Sequence, residues 1–118
     1  MKIGIPLFGK RVSPHFATAP ELLVVLVEGQ TVYSTSRLDF SRASLTEKKR
    51  KIRDMGIETL FCGGIDNETK EWFEQRGIRV IGNTMGEATE VISSFLRETG
   101  RKDLAAERRS IKSKRERT

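Results

Sequence analysis

Between Glu21 and Glu28 the chain reads Leu22-Leu23-Val24-Val25-Leu26-Val27, apolar on both parities. A run this short and this uniformly apolar is a central strand that must be covered on both faces. The rest of the chain therefore has to supply layers on two sides of a sheet. Lys2 to Phe8 reads as a first strand, with Ile3, Ile5 and Leu7 alternating before Gly9 stops it. Glu28-Gly29-Gln30 turns the central strand back into Thr31 to Leu38, which predicts an antiparallel hairpin. Helical signals follow. Ser44-x-x-Glu47 is a capping box opening a helix to about Met55, closed by Gly56. Ile57 to Cys62 is a short strand ending at Gly63-Gly64, and Asp66 caps a helix through Trp72 and Phe73 to Gly77. Ile78 to Ile81 is the last strand. Ala88, Val91, Ile92, Phe95 and Leu96 form the stripe of a final helix ended by Gly100.

The order β-β-β-α-β-α-β-α predicts an α/β domain: a mixed five-stranded sheet with an N-terminal antiparallel hairpin and helices packed on it. A length of 118 residues suits one domain, expected over residues 1–100. Residues 101–118 hold eight basic against three acidic side chains, so five of the six net positive charges fall there. With only Leu104 and Ile111 as sizeable apolar residues, that tail is expected to be disordered or weakly helical. No run approaches the roughly 20 apolar residues of a membrane span, and Pro6 breaks the N-terminal segment too early for a signal peptide. A cytoplasmic protein is expected. One cysteine and one histidine exclude an internal disulfide and any metal cage built wholly from His and Cys of one chain.

In open α/β sheets, ligands bind beyond the carboxyl ends of the parallel strands. If the first, fourth and fifth strands are parallel neighbours, the loops 9–20, 62–66 and 82–86 meet at one edge. Glycines at the strand ends let backbone approach a ligand closely, and two of the loops lead into helix N-termini, which favour anions. Arg11 adds a positive charge. Equally, the glycines can serve only to make tight turns. The first loop concentrates Arg11, Ser13 and His15, and it is longer than a usual connection. His15 is either a metal ligand or a side chain that pins the loop. Cys62 is either a small buried hydrophobe or a thiolate favoured by the adjacent helix start. Trp72, Phe73, Phe95 and Phe40 read as core or rim packing. Lys48, Lys49, Arg50 and Lys51 are consecutive, cannot share one helix face, and read as a solvated surface.

Arg11-Val12-Ser13-Pro14-His15-Phe16, followed by Ala19, resembles the R-[VI]-[SA]-x-H-F-G-x-A segment of the dinitrogenase iron–molybdenum cofactor biosynthesis family, the NifX/NifB C-terminal-like proteins. Phe61-Cys62-Gly63-Gly64-Ile65 resembles its second landmark. Gly77-Ile78-Arg79-Val80-Ile81-Gly82 with Gly86-Glu87-Ala88 resembles its third. The resemblance implies a ribonuclease H-like three-layer fold and a role in nitrogen fixation. It also implies an iron–sulfur or iron–molybdenum type cluster as cargo, partner proteins of cofactor assembly, and His15 as a cluster ligand. Ala17 departs from the family's usual glycine, and Asp66 stands where another glycine is frequent. The candidate cargo-binding set is Gly9, Arg11, Ser13, His15, Gly63, Gly64, Asn83 and Thr84, with His15 and Cys62 as metal-ligand candidates.

Three functions compete on these residues. The first is a non-enzymatic carrier of a metal cluster or oxyanion, releasing cargo through few side-chain ligands. The second is nucleic-acid or partner binding through the basic tail, although residues 1–100 carry a net charge of only +1. The third is a nuclease, suggested by fold analogy alone. Two-metal hydrolysis needs clustered carboxylates, and the first strand holds none. No enzymatic activity is expected.

Overall fold

The computed structural model describes residues 1–99. The expected tail, and the glycine expected to end the last helix, lie outside the described residues. The chain order is β1 (Lys2–Phe8), β2 (Arg11–Val12), β3 (Glu21–Glu28), β4 (Thr31–Asp39), α1 (Leu45–Asp54), β5 (Thr59–Phe61), α2 (Asn67–Glu74) and β6 (Arg79–Ile81). A third helix, α3, covers residues 88–99. The strands form one mixed sheet in the order β4-β3-β1-β5-β6, with β2 paired to β1. The β3–β4 hairpin and the β1–β3 pair are antiparallel; β1, β5 and β6 run parallel.

The strand expected to be covered on both faces is indeed sandwiched. On one side Leu22 and Val24 join Ile52 of α1 and Phe73 of α2 in a core with Phe16, Leu60 and Cys62. On the other, Val25 and Val27 join Ile3, Ile5, Leu7, Phe61 and the α3 residues Ala88 and Ile92. Leu26 is the exception, with 39% of its surface exposed. In β1 the cores meet through a division of size. Ile3, Ile5 and Leu7 fill the α3 side, while Gly4 lies against Ile57 and Leu60, where an added Cβ would sit 3.2–3.3 Å from them.

Helix boundaries follow local chemistry. The Ser44 hydroxyl accepts the Glu47 amide at 3.1 Å as the N-cap of α1, and it donates to the Glu47 carboxylate at 3.2 Å, so the Ser-x-x-Glu pair is joined through both side chains. The Asp66 carboxylate accepts the Thr69 amide at 2.9 Å at the head of α2.

Five strands were expected and six are present. The missed element is β2, which sits inside the segment read from sequence as one long loop. Gly9, with φ +65°, makes a tight turn that folds Arg11–Val12 back onto Phe8 and Leu7. The room for it comes from the brevity of β5, which pairs with β1 only at Ile3 and Gly4. Beyond Gly4 that side of β1 is open, and the Pro6 carbonyl there accepts the Ser13 amide at 2.8 Å.

Candidate functional site

The parallel strands β1, β5 and β6 all end at the same edge, and their following loops meet there as the strand order requires. Backbone hydrogen bonds join all three. The Gly64 amide donates to Pro14 O at 2.6 Å, and the Phe16 amide to Gly64 O at 2.8 Å. His15 and Gly64 thus form an isolated parallel bridge. The Asn83 amide donates to Gly63 O at 3.1 Å and the Thr84 amide to Cys62 O at 2.9 Å. Arg11 and Glu87 form a second bridge, flanked by Val12 N–H to Gly86 O at 2.9 Å.

Close approach explains the glycine pair. A Cβ on Gly63 would run into the carbonyl oxygens of Ser13 and Pro14, the latter at 2.7 Å. One on Gly64 would lie 3.1 Å from Pro14 O and 3.2 Å from His15 Nδ1. These glycines let the histidine loop lie flat against the end of β5. The two turn-making ones are different: Gly9 has open space around it and serves its positive φ, and Gly86 has φ +104°. Asn83 holds φ 55°, a left-handed conformation that asparagine tolerates better than most residues.

Pro14 and His15 are exposed, between the buried Ser13 and the buried Phe16. The Phe16 ring inserts into the core edge-on to Phe73, centroids 5.6 Å apart. The buried Ser13 hydroxyl donates to His15 O at 3.0 Å. Anchored before and after, the imidazole is presented at the rim of a cavity of about 410 Å³ lined by Phe16, Thr18, Leu45, Gly64, Ile65 and Asp66 among others. The side chain does not pin the loop; backbone bonds, Ser13 and Phe16 do. Arg11 is exposed on the same edge.

A residue missed from sequence completes the support. Lys48 is buried, not solvated: its Nζ donates to Ala17 O at 2.7 Å and Ala19 O at 3.0 Å. Burial lowers its pKa from the usual lysine value. Reading the basic run as one solvated surface overlooked that Lys48 lies four residues before the core residue Ile52, on the same helix face.

Two electrostatic expectations are corrected. Cys62 is fully buried among apolar side chains, and burial pushes its thiol up to about 11, with Lys70 offsetting only part of the effect. Of the two readings of Cys62, a neutral thiol facing the core fits the small buried hydrophobe and excludes the thiolate that a metal ligand requires. The α2 N-terminus also offers less to an anion than expected. Asp66 already caps it, and hydrogen bonds from the Thr69 hydroxyl and amide hold that carboxyl below the usual range, so it brings its own negative charge. The amides of Gly64, Asn83 and Thr84 are likewise spent on neighbouring loops. Among the described residues, no group of three or more His, Cys, Asp or Glu side chains could hold a metal ion.

Helices on both faces of a mixed sheet, with three glycine-bearing loops stitched together beyond its parallel strands, define a small α/β domain with a single-histidine rim. The chain belongs to the dinitrogenase iron-molybdenum cofactor family, whose sequence profile matches residues 1–98. It is similar to protein MJ0580 of Methanocaldococcus jannaschii, at 26% identity over 102 residues covering 81% of this chain and 86% of the relative. Among solved structures it is similar to PH0822, with a TM-score of 0.79 and 25% identity over 83% of this chain and 90% of that one. It also resembles MJ0327 of Methanocaldococcus jannaschii in fold, with a TM-score of 0.70 at 21% identity over 84% and 90% of the two chains. No helix of the described residues is long and apolar enough to cross a membrane.

Proposed function

We propose that this chain is a non-enzymatic carrier that binds and releases an iron–sulfur or iron–molybdenum type cluster, or its precursor, with His15 as the protein ligand. The exposed imidazole on a rigidly supported rim is the observation that carries the reading. A lone metal ion would need three or four protein donors, and the described residues offer no such set. A cluster brings its own sulfide ligands and needs few from the protein, so one imidazole suits it, and a single bond suits release. Arg11 provides the compensating positive charge for an anionic cargo, and Gly63 and Gly64 keep the rim low enough for a bulky one to approach. Gly9, Ser13, Asn83 and Thr84 enter as supports of the loops, not as ligands. Family membership supports the cofactor-assembly setting and partner proteins within it. The ribonuclease H-like assignment of the fold belongs to the same reading, supported by the three layers and strand order.

Cys62 is left out of the ligand set, since its sulfur lies in the core. Anaerobic titration with an iron–sulfur or molybdenum–sulfur cluster, followed by absorbance, tests the assignment. The wild-type chain and Cys62→Ala should bind alike and His15→Ala should lose most of the affinity. Equal binding by His15→Ala would remove the histidine from the site.

A further inference from the structure

Away from the histidine rim, the chain's only tryptophan gathers three cations. Trp72 sits half-buried between α1 and α2, edge-on to Phe73 with ring centroids 5.4 Å apart. The Arg76 guanidinium lies 3.8 Å from the ring centroid, Lys49 Nζ 5.0 Å and the Arg53 guanidinium 6.0 Å. The electron-rich indole makes this crowding tolerable, as do the negative helix ends beside Arg53 and Arg76. Neither supplies a counter-charge. Arg53 pairs with Asp54 at 2.9 Å, but among the described residues neither Lys49 nor Arg76 has a carboxylate within ion-pair distance. Arg76 is exposed yet already fixed, since it also donates to Trp72 O at 2.8 Å. A cation held in place loses little freedom on binding, and tryptophan and arginine are the residues that most often dominate protein interfaces.

This seam between the helices leads to the site. α1 begins at Leu45 and α2 follows its cap Asp66, and both residues line the His15 cavity, so both helices run away from it. Leu45, Lys49 and Arg53 repeat at four-residue spacing on one face of α1. On α2, Thr69 of the cavity wall is followed by Trp72, and Arg76 comes in the turn that closes the helix. The cations therefore start about one helical turn from the cavity. Two carboxylates bound them at that end: Glu68, one turn before Trp72, and Asp66, whose ionised form Lys49 favours from beyond ion-pair distance. Such a pattern selects the partner. A nucleic-acid backbone carries a charge at every nucleotide and would run into both carboxylates, and a half-buried ring with Arg76 over it offers little for a base to stack on. A polypeptide can set its acids opposite the cations alone and pass the carboxylates with neutral residues.

We propose that the α1–α2 seam around Trp72 docks an acidic segment of a partner protein, with Arg76, Lys49 and Arg53 holding its carboxylates. Arg76 provides the planar fork that matches a carboxylate, and Lys49 adds a point charge beside it. A partner held there lies alongside the His15 rim, where a donor or recipient of cargo has to be. The docking itself does not depend on what the rim carries.

Because Trp72 is the only tryptophan, its emission reports from the seam itself. Titration of the full chain with a short polyglutamate peptide should change that emission saturably, and the binding should weaken as salt rises. Anisotropy of the same peptide carrying a fluorescein label gives the affinity of each variant. Lys49→Gln with Arg76→Gln should bind roughly tenfold more weakly with an unchanged circular dichroism spectrum. Arg50→Gln with Lys51→Gln removes the same charge from outside the ring's surround and should cost much less. An unchanged emission, or equal losses in the two double variants, overturns the proposal. An oligothymidylate of equal charge that binds as tightly as the peptide, and loses affinity in the Lys49 and Arg76 variant, overturns it in favour of nucleic acid. No cluster takes part in these titrations, so their outcome is independent of the carrier reading.

Discussion

At Cys62 two physical effects compete, and position decides between them. A helix N-terminus lowers a thiol's pKa only when the sulfur faces it; here the sulfur faces Phe16, Leu60 and Phe73 in the core. Because burial raises the folded-state value from 9.0 to about 11, the stability linked to this thiol is fully present below pH 9.0 and is lost as the pH rises through about 11. Denaturant titrations across that window should show a steeper loss in the wild type than in Cys62→Ala, and equal slopes would show that the sulfur is not buried in solution. Gly63 makes the opposite demand, for space. Gly63→Ala should destabilise by roughly 1–3 kcal/mol, as overpacking does, because the obstructing atoms are backbone carbonyls of the histidine loop that cannot swing aside. Urea unfolding measures it. A neutral result would mean that the loop does not lie against β5.

Helices in this chain hold the site from a distance. α1 contributes Lys48, whose ammonium group bonds two carbonyls of the segment that carries His15. Lys48→Met keeps the length and apolar stem but leaves those carbonyls without a donor, which costs about 1–3 kcal/mol. Amide exchange should quicken in residues 13–19 before it changes in β1 or β3. The start of α1 depends on Ser44, and Ser44→Ala should lower stability by about 0.5–2 kcal/mol, the usual cost of a lost cap. The pair can be told apart by readout: the cap mutation weakens the helix as a whole, whereas the lysine mutation loosens the loop it reaches. Strand β2 is the element that re-aims the chain, since its return along Leu7 and Phe8 carries Ser13 and His15 across to Gly64.

On the scale of the whole chain, charge and fold are separable. Five of the six net positive charges lie beyond Gly100, so removal of residues 101–118 should flatten the salt dependence of any polyanion binding while leaving cluster binding at the His15 rim intact. Gel shifts at several salt concentrations, paired with the anaerobic titration, measure both. Undiminished polyanion binding by the truncated chain would move that contact to the body, where Trp72 lies within 6.0 Å of Lys49, Arg53 and Arg76.

Sequence alone determined what depends on neighbours along the chain. Apolar parity marked β1 and β3 with the boundaries they have, Gly29 marked the hairpin, and Ser44 and Asp66 marked the caps, because each is a contact over one to four residues. That the three loops meet followed from sequence only on the condition that the first, fourth and fifth strands are parallel neighbours, and the sheet order supplies that condition. Only the tertiary structure decided which way each side chain there faces. Whether Cys62 is a thiolate, whether Lys48 is solvated and whether the α2 N-terminus is free for an anion all turn on which atoms, distant in sequence, come to surround the group. β2 escaped the sequence for the same reason: two residues carry no period, and they become a strand only because β5 stops short and leaves the end of β1 unpaired on that side.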